Sequence, residues 1–165
     1  MGERVSAADL DGSGDTPPPE SVEQIVRRLS DVEAIKRLKA SYYRHLDLQN
    51  WEQLADLFVA DAEFRLETAG DPVIFTSVET WLANLQTFLP GGWSVHHGHM
   101  PEIDVDGDTA NAVWAMFDEV HPGPQCGRDP FTGYGHYHER YERTADGWRI
   151  ASLRLSRLWV GPLRT

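Results

Sequence analysis

The change of hydrophobic period at Pro90-Gly91-Gly92 constrains this chain more than any other feature. Before it, apolar residues recur at helical spacing. After it come four long segments, 93–105, 109–121, 133–143 and 148–160, rich in Val, Ile, Tyr and Trp. Asp106-Gly107-Asp108 and Thr144-Ala145-Asp146-Gly147 are tight-turn sequences that join these segments into two antiparallel pairs. Helices first and strands afterwards imply an α+β fold, with the N-terminal helices packed on the concave face of a curved antiparallel sheet.

The helical half divides further. Val22, Ile25, Val26 and Leu29 follow the helical repeat from a start near Ser21. Ser30-Asp31-Val32-Glu33 has the form of a capping box, which predicts a second helix restarting there at an angle. That helix carries Ile35, Leu38, Tyr42 and Leu46 on one stripe. After Leu48-Gln49-Asn50 a third helical set holds Trp51, Leu54, Leu57 and Phe58, and Asp61 to Leu66 is a short strand. Ser77 caps a further helix that buries Trp81, Leu82, Leu85, Phe88 and Leu89. Residues 121–133 form a connection rich in turn formers, either a cover for a pocket mouth or a plain loop. Residues 1–19, with Gly-Ser-Gly and Pro17-Pro18-Pro19, are expected to be a disordered leader to a single domain over 20–165.

A chain of 165 residues can bury a real core without disulfides, and Cys126 stands alone. The formal charge of −11 argues against nucleic acid or an anionic membrane as partner. No apolar run approaches the roughly 20 residues of a membrane span, and no apolar signal core follows Met1. The expectation is a cytoplasmic protein whose partner is a small molecule.

Several residues invite a chemical reading. Asp47 ends its helix, where a carboxylate opposes the macrodipole, so it either caps the next helix or has a function. On a strand His97 and His99 share one face and His96 takes the other. The pairs His97-x-His99 and His136-x-His138 suggest a metal, although surface or core histidines are commoner. Asp118 lies two rungs beyond Trp114 on one strand face. Arg154 and Arg157 face opposite sides, so one points inward, to hold a substrate carboxylate or to pair with Glu102 or Asp118. Trp81, Trp93, Trp114, Tyr134 and Tyr137 would make an aromatic wall suited to a ring-bearing ligand.

Three stretches carry a family resemblance: Tyr42 to Asp47 to Trp51, then Leu57-Phe58-Val59-Ala60-Asp61-Ala62; His96 through Ala110; and Asp146-Gly147-Trp148-Arg149-Ile150. Over residues 25–160 the chain resembles the SnoaL-like, nuclear-transport-factor-2-like superfamily, in pattern most like scytalone dehydratase and bile acid 7α-dehydratase. The resemblance implies a cone-shaped α+β barrel with one pocket, acting without metal or other cofactor as a homo-oligomer, dimer or trimer. It places a catalytic carboxylate on Asp47, a histidine base on His96 and a helix tyrosine on Tyr42. Tyr43 is the substitute for Tyr42, and Tyr43, His97, Trp114, Asp118, Tyr134 and Arg157 are the expected substrate contacts. Trp114 departs from the pattern, standing where scytalone dehydratase has a second histidine. The implied chemistry is proton abstraction beside a carbonyl, with loss of water or isomerisation. Alternatives are a polyketide or polyether cyclase, an epoxide-opening hydrolase, or a binder without chemistry.

Overall fold

The structure is a computed structural model that describes residues 20–67 and 70–163; the expected leader lies outside the described residues. In chain order the elements are α1 (Val22–Asp47), α2 (Trp51–Ala55), β1 (Phe58–Glu67), β2 (Val73–Phe75), α3 (Val78–Phe88), β3 (Trp93–Asp106), β4 (Thr109–His121), β5 (Phe131–Thr144) and β6 (Gly147–Pro162). The strands form one six-stranded sheet in the order β2-β1-β6-β5-β4-β3. It is mixed, because β1 runs parallel to β6 while the other neighbours are antiparallel. Among the described residues no helix is long and apolar enough to cross a membrane.

α1 opens on a true capping box, with Ser21 Oγ accepting from Gln24 N at 3.2 Å and Gln24 Oε1 accepting from Ser21 N at 2.7 Å. It then runs unbroken through Ser30, contrary to the restart expected there. The reason lies with Asp31. Its carboxylate accepts two bonds from Arg143, at 2.8 and 2.7 Å, and one from the Trp148 indole at 3.1 Å. These hold this stretch to β5 and β6 as part of one continuous helix. Val22, Val26 and Leu29 stay exposed. The buried stripe is Ile35, Lys39, Tyr42 and Leu46, with Lys39 on the core side and Leu38 only partly covered.

Phe58 belongs to β1 and not to the preceding helical turns. Ile150 N donates to Leu57 O at 2.9 Å and Phe58 pairs with Ile150, which recruits the strand earlier than its sequence suggests. The core fills the space between α1, α3 and the concave face. There Phe64 stacks on Trp81 at 4.3 Å, and Tyr42 lies parallel to Trp81 at 6.3 Å.

Alternation along β3 and β4 is regular over the stretch that matters. Ser94, His96 and Gly98 face inward, opposite Val120, Asp118 and Met116. His97 faces outward, stacked on Phe117 at 4.4 Å. The β3 register breaks only later, between His99 and Glu102, where Met100 has a φ of 48°.

Candidate active site

The last turn of α1 meets the first half of β3, and Asp47 is where they join. Its Oδ1 lies 2.6 Å from His96 Nδ1 and accepts from Ser94 Oγ at 3.0 Å, while Oδ2 accepts the His96 backbone N–H at 2.9 Å. The capping alternative is not what the carboxylate does. Asn50 stands at the N-cap of α2 without a side-chain capping bond, and the bonds of Asp47 run to β3.

The imidazole crosses from Asp47 toward a second carboxylate. His96 Nε2 is 3.8 Å from Asp118 Oδ2, beyond direct hydrogen-bond range. Asp118 is fully buried and receives both ends of the Arg157 guanidinium, at 2.8 and 2.6 Å. Burial opposes the charge on Arg157, and the bonds from Asp118 more than restore it, so its pKa is raised. Gly133 makes the pairing possible, since a Cβ there would lie 2.1 Å from Arg157 Nη1 and 2.7 Å from Asp118 Oδ1. The pair Asp47–His96 stays near solvent, with side chains 22% and 10% exposed.

Two buried polar atoms in this region have no partner, the Tyr43 hydroxyl and Arg157 Nε. Tyr43 lies flush on β3, where a Cβ on Gly98 would be 2.0 Å from its hydroxyl oxygen. Gly98 is the next inward residue after His96, so this hydroxyl lies one inward position along β3 from the imidazole. Burial raises the Tyr43 pKa, and the neighbouring Tyr137, Glu139, Asp118 and Asp47 raise it further. It is held as a neutral donor.

Behind the tyrosine lies a cluster that the sequence reading missed. Lys39 is fully buried, 2.5 Å from Glu139, with its ammonium 3.9, 4.6 and 3.7 Å from the ring centres of Tyr42, Tyr43 and Tyr137. Burial pulls the lysine down to about 8 against the opposing pull of Glu139. The Tyr141 hydroxyl donates to Glu139, and the Trp114 indole donates to Tyr141 at 3.1 Å. Two signals pointed here: Lys39 sits four residues after Ile35 on the buried stripe, and Glu139 alternates with Tyr137 and Tyr141.

The structure therefore sorts the expected residues. Asp47, His96, Tyr43, Asp118 and Arg157 converge. Tyr42 is core, enclosed by Phe58, Trp81 and Tyr137 and hydrogen-bonded to Tyr137, so Tyr43 takes the place expected for it. Trp114 lies in the Lys39–Glu139 cluster and does not reach Asp118. His97 and Tyr134, also expected as substrate contacts, are not in this group. Both lie on the outer face, where Phe117 stacks with His97 and, at 6.0 Å, with Tyr134, because their strand positions alternate away from His96 and Gly133. Arg154 also faces outward, bonded to Glu67 at 3.0 Å.

His97 and His99 on β3 are separated from His136 and His138 on β5 by the whole of β4. Among the described residues no three His, Cys, Asp or Glu side chains stand together as a metal site. Two surface concavities, of about 500 and 460 Å³, run along α1 at Val26 and Arg37 and across the sheet at Asp104 and His138. Neither includes Asp47 or His96.

The relatives agree with the fold. A candidate cyclase of Gibberella zeae is 27% identical over 134 residues, covering 76% of this chain and 89% of that protein. A scytalone dehydratase candidate of Novosphingobium aromaticivorans superposes with a TM-score of 0.72 at 23% identity, over 86% of this chain and 93% of the other. A type 3 hexachlorocyclohexane dehydrochlorinase of Novosphingobium barchaimii gives 0.70 at 21% identity, over 84% and 94%. The SnoaL-like domain matches residues 27–154, most of the described chain, and the protein belongs to the SnoaL-like family.

Proposed function

We propose that this protein is a cofactor-independent lyase or isomerase, dehydratase-like, acting on a small cyclic carbonyl compound. The observation that carries the reading is the 2.6 Å contact of Asp47 with His96 Nδ1. With a carboxylate on Nδ1, the neutral ring carries its proton there and offers Nε2 as a base toward the interior. His96 Nε2 takes a proton from the carbon next to the carbonyl, and Asp47 stabilises the imidazolium that forms. Tyr43 donates its hydroxyl proton in a hydrogen bond to the developing enolate oxygen. In the dehydratase version the C–O bond to the β-hydroxyl then breaks, and the proton on Nε2 leaves with that oxygen as water. One residue thus acts as base and then acid.

The dehydratase and dehydrochlorinase likenesses support an elimination; the cyclase likeness supports ring closure on the same dyad as the alternative. The interior filling of Tyr42, Tyr137, Trp114 and Lys39 favours the other rival, a binder without chemistry. The outer-face ladder of His97, Phe117, Tyr134 and Trp159 supports assembly into a homo-oligomer through that face.

The test is proton exchange from cyclic ketones into deuterated water, followed by NMR across a panel of substrates. Wild type should catalyse exchange, and His96→Ala or Asp47→Asn should lower it by roughly 10²–10⁴, with the double variant no worse than either alone. Unchanged exchange in His96→Ala, with the fold intact, rejects the base assignment.

A further inference from the structure

We infer that the site accepts ligands that are uncharged at the end reaching His96, and discriminates against carboxylates. The inference rests on the proposed function for the identity of the site and goes beyond it in naming the ligand's charge. Its basis is the pairing of every buried cation there. Arg157, the natural partner for a substrate carboxylate, gives both terminal nitrogens to Asp118 at 2.8 and 2.6 Å. Lys39 is closed off beneath the tyrosines by Glu139 at 2.5 Å. Asp47 is the carboxylate without a permanent cation, and its counter-charge appears only when His96 takes a proton.

An anionic ligand would therefore approach a partly buried site already one charge negative, with Asp118 3.8 Å from the imidazole it must approach. The groups left unpaired are of the other kind. The Tyr43 hydroxyl and Arg157 Nε are buried donors without acceptors. An orphan donor is satisfied by a neutral carbonyl oxygen without any new charge to compensate. The ligand chemistry that fits is a ring-bearing ketone or amide-like carbonyl.

The probes are 2-naphthamide and 2-naphthoate, matched in shape and differing in charge, with binding measured by isothermal titration calorimetry at neutral pH. Wild type should prefer the amide by about tenfold or more, as expected when a buried charge finds no partner. Asp118→Asn releases the Arg157 guanidinium and should reverse the preference toward the naphthoate. Tyr43→Phe should weaken the amide and leave the naphthoate little changed. Equal or tighter binding of the naphthoate by wild type overturns the inference, as does failure of the amide to bind at millimolar concentration. If Asp118→Asn does not fold, the wild-type ratio still decides. His96→Ala separates this from the catalytic reading: it should lower proton exchange by roughly 10²–10⁴ yet keep the amide preference. A wild type that selects the amide but exchanges no protons would refute the lyase reading alone.

Discussion

Replacing Lys39 with Met is expected to be among the most damaging single substitutions in this protein, and the damage should come from Glu139. The lysine and glutamate side chains are both 0% exposed and 2.5 Å apart. Removing the ammonium leaves a buried carboxylate held only by the Tyr141 hydroxyl. Breaking a buried pair from one side costs about 3–5 kcal/mol. In a domain of this size 1 kcal/mol moves the midpoint by about 2–4 °C, so Lys39→Met should lower it by about 6–20 °C. The double variant Lys39→Met with Glu139→Gln removes both charges and keeps an acceptor for Tyr141, and should recover most of the loss. Alkaline pH supplies a second reading. The folded lysine is pulled down to about 8 from 10.5, chiefly by burial. Between those values the unfolded chain holds a proton that the folded chain has released, so stability relative to the double variant should rise with pH through that window. Urea unfolding at several pH values measures both effects. Equal losses in the single and double variants, or a difference that falls with rising pH, would refute the account.

Gly133→Ala should separate Asp118 from Arg157, since its Cβ would lie 2.1 Å from Arg157 Nη1; urea denaturation should show a loss of about 1–3 kcal/mol. Gly98→Ala should displace Tyr43, and Tyr43→Phe in the same chain should recover part of the stability lost, because the hydroxyl is the atom 2.0 Å from the new methyl. Sedimentation at micromolar concentration should report a dimer or trimer, and Tyr134→Glu, on the outer-face ladder at 37% exposure, should shift it toward monomer.

What the sequence made legible follows from which physical signals are local. Strand alternation is a property of neighbouring residues, and it set His96 on the face opposite His97 and His99, as β3 does with no bulge before His99, but it did not fix which face is inward. On β5 the facing of Tyr134 was left without an anchor, and the pairing of Gly133 with Asp118 fixes it on the outer face. The capping box at Ser30 was a true local pattern overruled from a distance, by Arg143 and Trp148 on Asp31. Lys39 was missed for a related reason. A lysine on an apolar stripe is normally a solvated edge, and only its partner 100 residues later makes burial tolerable. The start of β1 and all of β2 depended on pairing partners far along the chain, which propensity cannot supply.

The position of Asp47 ties these observations together. A carboxylate at the C-terminal end of a helix adds negative charge where the unpaired carbonyls already point, and local stability would favour a cation there. α1 does place Arg44 and His45 in that turn, and then ends on an acid. The sheet offsets the conflict with three donors from β3, namely the Ser94 hydroxyl, the His96 amide and the His96 ring. Two of these cost nothing to reorganise. The third, the ring, is held by the carboxylate at Nδ1. A site built only for stability could satisfy the same helix end with a glycine or lysine and leave position 96 apolar. The arrangement instead puts a fixed acceptor behind one nitrogen of an imidazole and leaves the other facing Asp118 across 3.8 Å. On the proposed reading this geometry serves to move a proton, which accounts for the local rule being broken here and kept at Ser21 and Ser77.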